Sequence, residues 1–178
     1  MKRLSIFAAA LVLSALAQSA SAGLLNNEVK AVYHYPNASS QYATLGQGVV
    51  DADGLEFGFD DGGPLFTMRI EDNRITIDYV SENGWNSAAF NGFSLANLSG
   101  ALPQFVIGAG TNLAGFGASN LSVVDDILYV NWQGLSFDAN TMVVLDVVGG
   151  QSDVPEPLSL ALFGVGLAGL AAGRRARK

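Results

Sequence analysis

Few side chains in this sequence are equipped for covalent chemistry. There is one histidine, His34, and no cysteine, so a hydrolase would have to pair a serine or threonine with that histidine, or set two carboxylates around a reacting bond. His34 sits inside a Tyr-His-Tyr run of strand-forming residues, and no Gly-x-Ser-x-Gly elbow occurs. It reads as a structural strand residue. Zinc sites draw on several histidines or cysteines, which this composition does not supply. No catalytic residue is assigned, and no enzymatic activity is expected.

Asp60-Asp61 and Asp125-Asp126 are adjacent carboxylate pairs, but adjacency in sequence does not set them at catalytic separation, and solvated turns are their expected use. The segment 51–61 opens as a calcium loop might, with Asp51-Ala52-Asp53-Gly54. An EF-hand then needs a ligand at position five, glycine at six and glutamate at twelve; here those positions hold Leu55, Glu56 and Gly62. No cofactor is expected, with an irregular calcium site in a loop as the alternative. The glycine-rich stretch 107–119 lacks a third glycine at the right spacing after Gly108 and Gly110, and no helical pattern follows, so it reads as a long loop and not a phosphate cradle. Tyr35, Tyr79, Trp85 and Trp132 could stack on a sugar ring, although such rings in a domain of this size usually belong to the core.

Strands are the elements that must position these groups. Segment 23–28 reads as a flexible lead-in, and 29–35 supplies β-branched and aromatic residues until Pro36-Asn37 stops it. Segments 42–50 and 55–59 flank the turn-forming residues 51–54, which predicts a hairpin. Phe66, Met68 and Ile70 alternate with Thr67 and Arg69, and Ile75, Ile77 and Tyr79 alternate with Thr76 and Asp78. Period two marks half-buried strands. Glu71-Asp72-Asn73 joins them as an antiparallel hairpin, with an asparagine able to take positive φ. Segments 85–93, 104–108, 121–123, 127–132 and 142–147 repeat the pattern, and no long stretch has helical periodicity. Short strands at roughly even spacing predict an all-β fold: a single β-sandwich or jelly-roll-like domain over 23–153.

Charge narrows the partners. Segment 23–153 holds three of the nine basic residues, Lys30, Arg69 and Arg74, and fifteen of the sixteen acidic ones. Such a surface repels phosphate backbones, so no nucleic acid is expected as a partner. Its length suffices to bury about two-thirds of the surface of its unfolded chain, and without cysteine the fold rests on burial.

The two ends carry targeting chemistry. Residues 1–22 begin with Lys2 and Arg3, continue through an apolar run, and reach Ala20-Ser21-Ala22 before Gly23. This is the layout of a secretory signal peptide, with Ala20 and Ala22 suited to small peptidase pockets and cleavage expected between Ala22 and Gly23. At the other end, the polar linker 149–153 leads to Val154-Pro155-Glu156-Pro157, then sixteen largely apolar residues (158–173), then Arg174, Arg175, Ala176, Arg177 and Lys178. The prolines cannot continue a helix from the core side but are tolerated at a helix start. A helix over 158–173 would be about 24 Å long, marginal for a hydrocarbon layer of about 30 Å. The basic end would stay cytoplasmic, leaving the core outside.

This tail resembles the PEP-CTERM sorting signal of Gram-negative bacteria, in which a Pro-Glu-Pro motif, a transmembrane helix and a basic end follow in order. The resemblance covers about the last twenty-five residues. It implies that an exosortase, a membrane-embedded cysteine-dependent protease or transpeptidase, recognises the chain as its substrate, and that the mature protein is tied to the cell envelope and exopolysaccharide.

Together these readings predict a non-enzymatic exported protein of the cell surface or extracellular matrix. Its partners would be the export translocon, signal peptidase, an exosortase, the membrane in an inner-membrane intermediate, and exopolysaccharide. The alternative is a secreted glycan-binding, lectin-like module, assisted by calcium.

Overall fold

Period-two patterning has its expected consequence in the computed structural model, which describes residues 23–148. The signal segment 1–22 with Ala20 and Ala22, the linker, and the tail 154–178 with its apolar stretch lie outside the described residues. Among the described residues, no helix is long and apolar enough to cross a membrane.

Two five-stranded sheets face each other. The first runs in the order β2 (Gln41–Val49), β1 (Glu28–His34), β7 (Gly92–Asn97), β10 (Ile127–Asn131), β9 (Leu121–Val124). The second runs β3 (Leu55–Asp60), β4 (Pro64–Ile70), β5 (Arg74–Tyr79), β12 (Met142–Val148), β8 (Gln104–Ile107). A two-stranded ribbon, β6 (Asn83–Gly84) with β11 (Ser136–Phe137), closes one end. Every pairing is antiparallel. The expected β-sandwich is therefore the fold.

Alternation decides what is buried. Val29, Ala31 and Tyr33 of β1, with Phe93 and Leu95 of β7, turn inward against Phe66, Met68 and Ile70 of β4 and Ile75 and Ile77 of β5. Each valine, leucine, isoleucine, methionine or phenylalanine among them contributes about 1.5–3 kcal/mol by leaving water. The intervening residues, among them Thr67, Arg69, Thr76 and Asp78, stand on the outer face.

The β4–β5 hairpin forms as expected, with Ile70 opposite Ile75 and the Glu71 amide donating to the Arg74 carbonyl at 2.8 Å. Asn73 does not supply a positive φ. Left-handed backbone appears instead at Asp125 (φ 51°) and Asp126 (φ 61°), the two-residue connection between β9 and β10. Two successive positive φ values match the twist of the flanking strands. The Asp126 carboxylate also accepts from the Leu102 amide with both oxygens, at 3.1 Å each.

Three expectations need correction. Segments 42–50 and 55–59 are not a hairpin: β2 pairs with β1, β3 pairs with β4, and the 51–54 turn carries the chain from one sheet to the other. The two edges meet because Gly46 has no side chain; a Cβ there would lie 2.2 Å from the Phe57 ring. The strand expected over 85–93 lies later, at Gly92–Asn97; the Trp85 backbone instead bonds to Gly134 and Leu135 beside β11, and its side chain packs inward. Segment 23–28 is not a loose lead-in: Leu24 is fully buried, its amide donates to the Asp72 carbonyl at 2.8 Å, and the Leu25 amide donates to the Asp72 carboxylate at 3.0 Å.

Candidate functional site

At the end of the sandwich where β1 finishes and β2 begins, the two sheets open into a cleft of about 260 Å³. Residues distant in sequence meet there because antiparallel strands return repeatedly to the same end. Tyr33 and Tyr35 come from the close of β1, Tyr42 from the start of β2, Phe59 and Asp61 from the close of β3, and Asn83, Trp85 and Asn86 from the segment around β6. The peptide bond between Tyr35 and Pro36, in the adjoining loop, is cis.

An aromatic cluster makes the walls. Tyr33 stacks on Phe59 with ring centres 4.1 Å apart, and Tyr42 stands nearly perpendicular to Tyr33, Tyr35 and Phe59 at 6.3 Å from each. Edge-to-face pairs of this kind are favourable for ring quadrupoles. Behind them a hydrogen-bonded chain holds the floor: the Trp132 indole donates to the Tyr33 oxygen at 3.0 Å, and the Tyr33 hydroxyl donates to Asn91 Oδ1 at 2.6 Å. Asn91 Nδ2 in turn donates to the Asn86 carbonyl at 3.1 Å. Burial pushes the Tyr33 hydroxyl well above its ordinary pKa, so it stays a donor.

At the mouth, the half-exposed Tyr42 (51 % of its surface) donates its hydroxyl to Asp61 Oδ1 at 2.9 Å. That hydrogen bond, reinforced by the carboxylate's charge, raises the Tyr42 pKa. Tyr42 therefore remains protonated and Asp61 keeps a second oxygen for another donor. Among the described residues, no basic side chain lines the cleft.

The structure divides the four aromatic residues singled out from sequence. Tyr35 and Trp85 line the cleft, whereas Trp132 and Tyr79 are core residues at 0 % and 2 % exposure. Trp85 stacks on Trp132 at 5.3 Å and donates its indole to the Tyr79 oxygen at 3.3 Å. A platform of those four rings does not exist, because two of them fill the space between the sheets. Sequence reasoning missed Tyr42, Phe59 and the three asparagines, and read Asp61 only as part of a solvated turn. One signal was available: Tyr35 and Tyr42 flank the short loop between β1 and β2, and residues on either side of a hairpin loop share an end of the sheet.

The carboxylate pairs do not assemble a common site. Asp60 Oδ1 accepts from the Gly63 amide at 2.9 Å, and Asp60-Asp61 occupies the cleft end. Asp125-Asp126 lies at the opposite end, as the register of β10 against β7 requires. In the segment considered for calcium, Asp51 Oδ1 accepts from the Asp53 amide at 3.0 Å. Among the described residues, no three His, Asp or Glu side chains are grouped as metal ligands.

His34 Nε2 lies 2.8 Å from Ser94 Oγ on the outer face of the first sheet, beside the rings of Phe90 and Tyr129. A nucleophile–base pair also needs a group orienting the base through its other nitrogen. His34 Nδ1 is buried without a hydrogen-bond partner among the described residues. Burial lowers the His34 pKa below its ordinary 6.5. The unfolded chain therefore takes up the proton first, so His34's contribution is intact above about pH 6.5 and lost as pH falls through the lower folded-state value. His34→Gln is expected to flatten the loss of stability that begins as pH falls below about 6.5, read as urea midpoints. Equal acid sensitivity in both chains would count against this. Asp138, held low by the Asn140 amide and the Thr141 hydroxyl, acts only below its ordinary 3.8 and leaves that window undisturbed.

The sorting residues Val154, Pro155, Glu156 and Pro157 and the basic Arg174, Arg175, Arg177 and Lys178 lie outside the described residues. No curated protein and no solved structure matches the chain. A family model described as the PEP-CTERM protein-sorting motif matches residues 153–178. The chain thus ends in a PEP-CTERM protein-sorting motif, as its Pro-Glu-Pro, apolar and basic segments implied.

Proposed function

We propose that this is a non-enzymatic exported protein, delivered by its tail to the cell surface or extracellular matrix of a Gram-negative bacterium. The translocon carries the chain across the inner membrane and signal peptidase cuts after Ala22. The apolar segment 158–173 holds the intermediate in the membrane with the basic end inside, and an exosortase then processes the tail. The observation that carries this reading is the order of motif, apolar stretch and basic end at residues 153–178. Its non-enzymatic character is supported by Asp51, Asp60 and Asp126, which bond to backbone amides, and by His34, which lacks an orienting partner. The tail should be portable. Residues 154–178 attached to an inert exported protein are expected to make it membrane-associated and then to be trimmed of the basic end. Free secretion of that fusion with Arg174 to Lys178 intact would sink the reading.

A second reading, a glycan-binding module with exopolysaccharide as partner, is favoured by the aromatic cleft. Its calcium-assisted form is tested by the melting temperature with calcium and with chelator.

A further inference from the structure

We infer that the cleft between Tyr35, Tyr42, Asp61, Asn83, Trp85 and Asn86 is a binding site for one uncharged sugar ring. This inference rests on the glycan-binding reading and locates it.

The class of ligand follows from what the cleft offers. The ring surface it exposes belongs to Tyr35 and Tyr42, with Tyr33, Phe59 and Trp85 packed behind them, and the C–H face of a sugar ring is an apolar surface that stacks on aromatic side chains. Its mouth is polar, with the Asp61 carboxylate and the side chains of Asn83 and Asn86. Asp61 Oδ1 is taken by Tyr42 and Asn83 Oδ1 accepts from the Gly84 amide at 2.8 Å. Asp61 Oδ2, Asn83 Nδ2, the Asn86 amide and the Tyr35 hydroxyl make no hydrogen bond among the described residues. Donors and acceptors are thus both available at the cleft, which suits ligand hydroxyls that both give and accept protons.

Other small ligands fit less well. An anionic sugar or phosphate would meet Asp61 with no basic side chain among the described residues of the lining. A quaternary ammonium would be drawn to the rings and to Asp61, but it has no group to satisfy the two asparagine amides, and covering polar groups without partners is costly. Size restricts the ligand as well. Pockets for drug-sized molecules run from about 300 to 1,000 Å³, so 260 Å³ accommodates one ring. The site is also pre-organised. The chain from Trp132 through Tyr33 and Asn91 to the Asn86 carbonyl ties the floor to the segment carrying Asn86, and rigid sites lose less entropy on binding.

The test uses the full chain, purified in a detergent without a sugar headgroup, and saturation-transfer NMR with glucose, galactose, mannose and N-acetylglucosamine, and separately with choline. At least one sugar should receive saturation on its ring C–H protons. Tyr42→Ala, which removes a half-exposed ring, and Asn86→Ala, which removes an exposed amide, should each weaken binding about fivefold or more; Asn86→Ala should leave the melting temperature unchanged, and Tyr42→Ala should still unfold cooperatively. If no sugar receives saturation in the folded chain, the glycan-binding reading falls with the site. If a sugar binds equally well to both variants, the reading survives and this site does not. If choline binds and displaces the sugar, the cleft is a cation cage and the assignment is overturned.

Discussion

With Pro155, Glu156 and Pro157 all changed to alanine, the chain recovered from the envelope should retain Arg174, Arg175, Arg177 and Lys178, whereas the unaltered chain should have lost them. The expected change is close to all-or-none. Proline lacks an amide hydrogen and fixes φ, so a sequence with two prolines in three residues is expected to resist helix formation at the motif. Alanine is the strongest helix former and would remove that restriction, and with it the feature an exosortase is proposed to recognise. Glu156 adds a charge that is costly to bury in hydrocarbon. Intact mass decides the outcome, with Gln151→Ala in the linker as a control that should be processed normally. An unaltered mature chain still carrying Arg174 to Lys178 would end the processing hypothesis.

The second large effect concerns the core. Trp132→Ala should cost about 3–5 kcal/mol, the usual range for emptying a fully buried aromatic site. Trp132 is fully buried between the sheets, with Trp85 stacked at 5.3 Å and Phe66, Tyr79 and Phe93 within 6 Å. Its loss leaves a cavity and also leaves the Tyr33 oxygen without its indole donor. Trp132→Phe should cost less, because a ring still fills most of the space and only the donor is lost. Domains are stable by about 5–15 kcal/mol in all, so the alanine variant should unfold at clearly lower denaturant in a urea titration followed by near-UV circular dichroism. A loss below about 1 kcal/mol would show that the interior collapses around the gap, contrary to the tightly packed ring cluster.

Some of the fold can be read from local pattern because local pattern causes it. Phe66, Met68 and Ile70 against Ile75, Ile77 and Tyr79 alternate at the pleat period, and a three-residue link leaves little choice but to pair them. The turn at 51–54 shows the limit of that reasoning. Asp51, Asp53 and Gly54 specify that the chain reverses, as the Asp51–Asp53 and Asp51–Gly54 bonds show, but a reversal is equally compatible with pairing or with crossing to the other sheet. Competition decided it: β2 is paired along β1 and β3 along β4. The displaced strand at 85–93 has a similar origin. Trp85 and Phe90 look strand-like locally, yet Trp85 gains more by stacking on Trp132 between the sheets.

The tail with its Pro-Glu-Pro motif, apolar stretch and basic end is a linear signal, its parts contiguous and ordered along the chain. The sequence alone therefore established it, along with the period-two pattern that makes the domain a sandwich. The tertiary structure alone decided which aromatic rings are core and which line a cleft. Tyr35 and Tyr79 are equally aromatic residues in or beside strands; one reaches the open end and the other the closed interior because strand register and sheet pairing set their positions. The cleft itself joins Tyr42, Asp61 and Asn86 from separate segments of the chain. No local pattern encodes that meeting; it exists only once both sheets have packed.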